Sequence, residues 1–479
     1  MSKQQKQLVM KFSFSKIKLL VFVACFLAGC SKSFLDLPNP SGLPLVGTIK
    51  DQASLNTASN GVYIALKSSA YYNRTFSLIP ELIGDNVFIS RSNGGRFLAH
   101  DNFAVTITDG YVQGAWYAMY QVIANANLAI AGGESLPPTT AIDQLLGELY
   151  AVRALAHFDL VRLFAQPYNF TDDASHLGVP VITVQESSIM EPPRDTVRRV
   201  YEQIVTDLNK ALSLMNVNQK PGRMVPAAVN TLLAKVYLYM GDWEQAEYYA
   251  SQAITGPFIL LGTNNYVSSW NADFSSESLF ELVNLATENA GVDGLGYLYD
   301  QSGYGEALAT ADLYNLYSTT DVRRSLIQVG VRNGTFENPA YFVRKYLGQT
   351  ANIKVLRLSD AYLIRAEARA ELGKTDAAKT TLAQQDLNTI VKRADASAAD
   401  ITLTGDDLIE RILIERRKEF AFEGHRLFDL TRRKKEVRHI RSGDDITTYT
   451  YPNNRFIMPI PFKEMNANDN MVQNPGWVQ

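Results

Sequence analysis

From residue 51 onward, apolar positions recur three and four apart in one segment after another, the spacing of helices with a single buried face. "DQASLNTASNGVYIALKSS" (51–69) and "GAWYAMYQVIANANLAIAGG" (114–133) follow that period. "IDQLLGELYAVRALAHFDLVRLFA" (142–165) extends it into a long helix stopped by Gln166-Pro167. After a mixed stretch that contains "LGVPVIT", "RDTVRRVYEQIVTDLNKALSLM" (194–215) resumes it. Trp116 and Trp243 fall on helical faces, which predicts that both plug the core.

"AAVNTLLAKVYLYMGDWEQAEYYASQAITGPFIL" (227–260) carries more than a period. Ala234, Tyr237, Gly241, Trp243, Ala246 and Ala253 stand at the positions that define a tetratricopeptide unit of roughly 34 residues. Small residues let two antiparallel helices approach, and Gly241 sits where the chain must turn. Ala366, Gly373 and Ala378 repeat the spacing of Ala234, Gly241 and Ala246, which predicts a second helix pair over 361–390. The 142–215 region reads as a third pair, split by an insertion. The units are not tandem, and between them lies 263–308, rich in Gly, Ser, Asn and aromatics without a sustained helical period. The pattern predicts an all-α dominated fold in which this loop-rich segment carries the binding region.

"ERRKEFAFEGHRLFDLTRRKK" (415–435) mixes charges of both signs with aromatics. The helix that enters it starts at "TGDDLIERI", with Thr404 or Asp406 as its N-cap. Arg416 lies in the apolar stripe of Ile409, Ile412, Leu413 and Phe420. A guanidinium there needs a carboxylate, because an unpaired buried charge is costly. Glu419 and Glu367 are the candidates. Interleaved acids exclude a basic nucleic-acid face, so the stretch reads as structural.

The two ends add the cellular context. Five lysines and no acidic residue precede Gly29, and "LLVFVACFLA" (19–28) has the length of a signal-peptide core rather than a membrane span. It runs into Leu27-Ala28-Gly29-Cys30, the pattern of a bacterial lipobox, which predicts cleavage before Cys30 and lipidation of its thiol. The chain then divides into a signal (1–29), an extended Pro/Gly/Ser-rich leader (30–50) and one domain (51–479). Cys30 is the only mature cysteine, so no internal disulfide can form. Losing the signal lysines takes the net charge from −3 to about −8. No other stretch approaches a transmembrane length, which leaves the lipid as the anchor.

With those residues in hand, the chain resembles the SusD/RagB family of outer-membrane lipoproteins over nearly its whole length. The resemblance rests on "CSKSFLDLPNP" (30–40), "AWYAMYQVIANANLAI" (115–130), "GELYAVRALAHFDLVRLFA" (147–165) and "PGRMVPAAVNTLLAKVYLYMGDWEQAE" (221–247). It continues through "LRLSDAYLIRAEARAELGK" (356–374), "EFAFEGHRLFDL" (419–430) and "QNPGW" (473–477). Lys32 and a lone Asp36 replace the acidic run usual after the lipidated cysteine. The resemblance implies an α-helical, lipid-anchored protein facing the cell exterior, acting as a lid on a SusC-like TonB-dependent barrel. It implies a binder of oligosaccharides, or of peptides in the RagB branch, and not an enzyme.

Enzymatic chemistry finds little support in the residues. His100, His157, His176, His425 and His439 are scattered without metal-ligand spacing, and no nucleophile elbow is present. Glu81 and Asp85 in "PELIGDNVF" are a formal carboxylate pair, read here as a helix end or a sugar-contacting loop in preference to a glycosidase site. The acidic turns at 444–445 and 466–470 lack calcium-loop spacing, and no cofactor is indicated. A tetratricopeptide adaptor would need tandem repeats. Sugars present apolar faces ringed by hydroxyls, so their sites combine aromatic platforms with planar hydrogen-bonding groups. "GDNVFISRSNGGRF" (84–97) offers Asp85, Asn86, Arg91 and Arg96, and the resemblance places ligand contacts just after this acidic residue. The 263–308 segment offers Trp270, Tyr297, Tyr299 and Tyr304 for stacking.

Overall fold

Each predicted amphipathic stripe finds a partner. The computed structural model describes residues 47–184, 191–218, 220–335, 337–441 and 445–477; the signal, Cys30 and most of the leader lie outside them. Residues Asp51–Gln479 cluster as one unit. Helix α1 (Gln52–Leu66) opens on a capping box in which the Asp51 carboxylate accepts the Ser54 N–H and Ser54 Oγ accepts the Asp51 N–H. A short buried helix, α2 (Thr75–Ile83), follows. Asp109 caps α3 (Gly110–Glu134), Thr139 caps α4 (Thr140–Phe164), and Thr196 caps α5 (Val197–Leu214). Then come the pairs α6 (Pro226–Met240) with α7 (Trp243–Ile254) and α8 (Leu358–Leu372) with α9 (Ala377–Ala394). Helices α10 (Gly405–Glu419) and α11 (Arg426–Arg432) follow.

Helices α3 to α9 pack in chain order, each against the next, so the two clear tetratricopeptide-like pairs become neighbours through α7 and α8. Ala234, Ala246, Ala253 and Ala366 are fully buried at these contacts, where a larger side chain would hold the helices apart. Gly241 ends α6 in the left-handed region (φ +79°), as a tight reversal demands. Gly373 serves differently: its φ is −64°, and a Cβ there would lie 2.4 Å from Thr380 Oγ1. Ala378 is exposed, so it matches Ala246 in spacing and not in burial. Trp116 is a core plug, but Trp243 is only half-buried, with the Arg433 guanidinium 5.9 Å from its ring.

Short strands, which helical periodicity could not register, lie mostly between the two pairs, with one ahead of α3. Strands β1 (Val87–Ile89), β3 (Ala307–Ala309), β5 (Ala340–Val343) and β4 (Ile327–Gly330) form an antiparallel sheet in that order. Strand β2 (Ser278–Leu282) pairs antiparallel with β6 (Ile353–Arg357). Three to five residues per strand are too few to establish an alternation by eye.

The 415–435 stretch is interior, as its mixed charges suggested. Arg416 is fully buried, and its Nε donates to Asp429 Oδ2 at 3.0 Å, with Glu367 Oε2 at 3.9 Å. Of the two partners expected, Glu367 is present and Glu419 is not. Glu419 accepts instead from Arg323, Arg357 and Arg393 at 2.7–3.0 Å, three cations that converge from other elements. Thr404 occupies the N-cap position without a side-chain cap. Both Arg416 terminal nitrogens are buried without a hydrogen-bond partner among the described residues, while Arg432 binds both Asp429 and Glu367. Arg416→Met is therefore expected to change stability in urea by no more than about 1–2 kcal/mol, because it deletes a desolvated charge whose partners stay neutralised. A loss above about 4 kcal/mol would mean that the guanidinium itself anchors the helix.

Candidate functional site

Strand β1 runs out of the sheet into a loop over residues 90–97 that two buried carboxylates hold rigid. Glu337 accepts from Ser90 Oγ at 2.5 Å and from the Arg91 N–H at 2.8 Å. Glu306 Oε1 accepts the Gly94 N–H at 2.9 Å and Arg96 Nη1 at 3.0 Å. Arg332 clamps the opposite side, donating to the carbonyls of Ser92 and Gly305. A loop cross-tied in this way keeps its side chains in place before any ligand arrives.

The Arg96 guanidinium lies 3.7 Å from the centre of the Tyr304 ring. Tyr304 meets Tyr297 edge to face at 4.8 Å, and its N–H donates to the Tyr297 carbonyl at 2.7 Å. Gly303 permits that approach: a Cβ there would stand 2.5 Å from the Tyr297 carbonyl oxygen. Beside this group, Phe97 adopts φ +55° and stacks on Tyr111 at 3.9 Å. Arg74 lies 5.1 Å from the Tyr111 ring and donates to Asp293 through Nη1, while its buried Nε has no partner among the described residues. Burial lowers the pKa of Arg74, and nearby Arg96 adds to that effect while Tyr111 and Asp293 oppose it. Burial raises the Tyr111 hydroxyl, against the pull of both arginines. The two arginines and the tyrosines thus form one electrostatic neighbourhood of half-exposed rings and planar cations.

Of the residues nominated from the sequence, the structure brings Arg96, Tyr297 and Tyr304 together. Arg91 is exposed on the same loop. The other four are interior, and the site is built without them. Asp85 is gripped by Arg426 (2.6 and 2.8 Å) and Arg417 (3.3 Å). Asn86 donates to Glu81 and accepts from Arg417, both at 2.8 Å. Trp270 is buried among Lys345, Lys354 and Arg357, which lie 4.4–5.5 Å from its ring. Tyr299 packs inside against Tyr346 and Phe422. Tyr111, Arg74 and Asp293 were missed. Tyr111 offered a signal: it stands off the Val112, Ala115, Trp116, Met119 stripe of its helix and so had to face elsewhere.

The Glu81–Asp85 pair has no chemistry left to offer. Glu81 accepts the N–H groups of Phe422, Gly424 and His425 as well as Asn86 Nδ2. For Asp85, burial alone would raise the pKa, but Arg426 and Arg417 hold it at about 2, from 3.8. A depressed carboxyl adds stability above its unfolded pKa and gives it up as pH falls through the folded one. Asp85→Asn is therefore expected to cost about 2 kcal/mol at pH 7 and to flatten the acid limb of urea stability between about pH 4 and 2. An unchanged acid limb would separate this carboxylate from folding.

Residues 330–477 match the family model described as SusD family, and residues 33–238 match one described as starch-binding, associating with the outer membrane. SusD-like protein P2 of Formosa agariphila is 26% identical over 94% of this chain and 97% of its own. A crystal structure of a SusD superfamily protein from Bacteroides vulgatus superposes with a TM-score of 0.81 at 31% identity, covering 90% of this chain and 100% of that one. The starch-binding protein SusD of Bacteroides thetaiotaomicron is 33% identical over 26% of this chain and 22% of its own.

Proposed function

The chain belongs to the SusD family, and from that premise we propose that it captures oligosaccharides at the cell surface and delivers them to a SusC-like, TonB-dependent barrel in the outer membrane. It acts as a binder without turnover, held to the membrane by lipid on Cys30. The observation that carries the reading is the rigid aromatic and guanidinium surface at Arg96, Tyr304 and Tyr297. Tyrosine rings accept the apolar face of a sugar, and planar guanidinium groups donate paired hydrogen bonds to its rim of hydroxyls. The starch-binding relative and the description of the family model support the same class of ligand. None of the four buried nominees is needed for it.

Native gels cast with a panel of polysaccharides, run on protein beginning at Ser31, test the ligand class. Calorimetry with oligosaccharides and with mixed peptides runs beside them. Retardation by one glycan is the expected result. Heat on peptides alone would replace the oligosaccharide by a peptide ligand. Co-purification of the lipidated protein with a barrel, separable only by denaturant, tests the partner.

A further inference from the structure

A cleft of about 400 Å³ opens at a place that shares no lining residue with the aromatic surface. Its walls are Pro221, Pro257, Phe258, Ile259 and Phe274, with Lys220 at one side. Ile259 is 68% exposed and Phe274 38% exposed, a large apolar outlay for a surface position. Phe274 also sits at φ +53°, a conformation that bulky residues rarely take. Its N–H donates to Glu281 Oε1 at 3.3 Å, and Glu281 is fixed from behind by Asn352, Ser278 and Lys354. A buried, fully engaged carboxylate thus holds an exposed ring in a strained pose at the mouth of a cavity.

We propose that this cleft is a second binding site and that it takes a small aromatic acid. Its volume falls in the range of small-molecule pockets and admits a substituted ring. A saccharide would fit poorly, because most of the polar side chains at hand are already committed. Ser276 donates to the Ile259 carbonyl, Ser278 donates to Glu281, and Glu281 has no acceptor site left. Lys220 is the charged exception. It binds Glu148 at 2.7 Å, keeps about a third of its side chain exposed (34%), and has further N–H groups for a carboxylate. The ring would lie against Phe274 and Ile259, with its acid toward Lys220.

Saturation-transfer NMR on the purified protein with 4-hydroxycinnamate and its methyl ester tests this. Ring protons of both probes are expected to saturate. Phe274→Gly removes the ring while suiting the left-handed backbone, and it should weaken both probes at least about tenfold. Ile259→Asp, at an exposed position that folding does not need, should do the same. Lys220→Met should weaken the acid and spare the ester, and Tyr304→Ala should change neither. No saturation, saturation that survives both Phe274→Gly and Ile259→Asp, or loss on Tyr304→Ala would overturn the site. Equal effects of Lys220→Met on acid and ester would overturn the assignment to an acid.

Discussion

Glu419→Gln is expected to lose about 3–5 kcal/mol of stability, seen as a lower urea midpoint with an unchanged slope. The substitution conserves shape and can still accept from Tyr266, whose hydroxyl lies 3.2 Å from Oε1. What it removes is the charge on which Arg323, Arg357 and Arg393 converge. Burial alone would raise the pKa of Glu419, yet Arg393, Arg357, Arg323 and Lys345 bring it well below the ordinary 4.5. The carboxylate therefore stabilises the fold above about pH 4.5, and that contribution fades as pH falls below it. The variant should be less stable at pH 7 and lose less on acidification than the parent. The remaining anions nearby, Glu277, Glu423, Asp321 and Glu415, each already serve one or two of the same cations. They cannot absorb a third. Three residues earlier on the same helix, Arg416→Met should change stability by no more than about 1–2 kcal/mol, so charge removal in general cannot explain the contrast. Equal midpoints for Glu419→Gln and the parent would show that the arginines are neutralised without it.

The helix pairs were legible because their signal is long and local. Ala234, Gly241 and Ala246 fall within one hairpin, and the helices around them span 12 to 15 residues. Charge pairing is neither long nor local. Arg417 and Arg426, which claim Asp85, stand more than 330 positions away, and nothing in "GDNVF" distinguishes an acid awaiting a sugar from one gripped by arginine. Tyr297 and Tyr299 show what a finer reading can recover. They are two apart on a short helix, Leu295–Tyr299, where successive side chains turn by about 100°, so one had to face in if the other faced out. The structure turns Tyr299 inward and leaves Tyr297 half-exposed beside Tyr304. Trp270 misled by composition: a tryptophan in a Gly/Ser/Asn-rich segment suggests a platform, yet that segment contributes strand β2 and its own share of the core.

Tyr304→Ala is expected to weaken the glycan that retards the parent protein by about thirtyfold, roughly 2 kcal/mol. The ring is held by the Arg96 guanidinium and by its edge-to-face contact with Tyr297, so it keeps one pose and its truncation removes a preorganised platform. Tyr304→Phe keeps the platform and should retain most of the affinity, which separates stacking from hydroxyl contacts. Arg96→Lys keeps the charge and its reach to Glu306 but loses the planar fork, and should lie between the two in calorimetry. Trp270→Phe supplies the internal contrast. It should lower stability, because Lys345 and Arg357 lose an indole face, and leave glycan affinity as it was. If Trp270→Phe abolished binding in protein that remained folded while Tyr304→Ala did not, the ligand surface would lie in the 263–308 segment away from Arg96, and the pair at 304 and 96 would be a structural clasp.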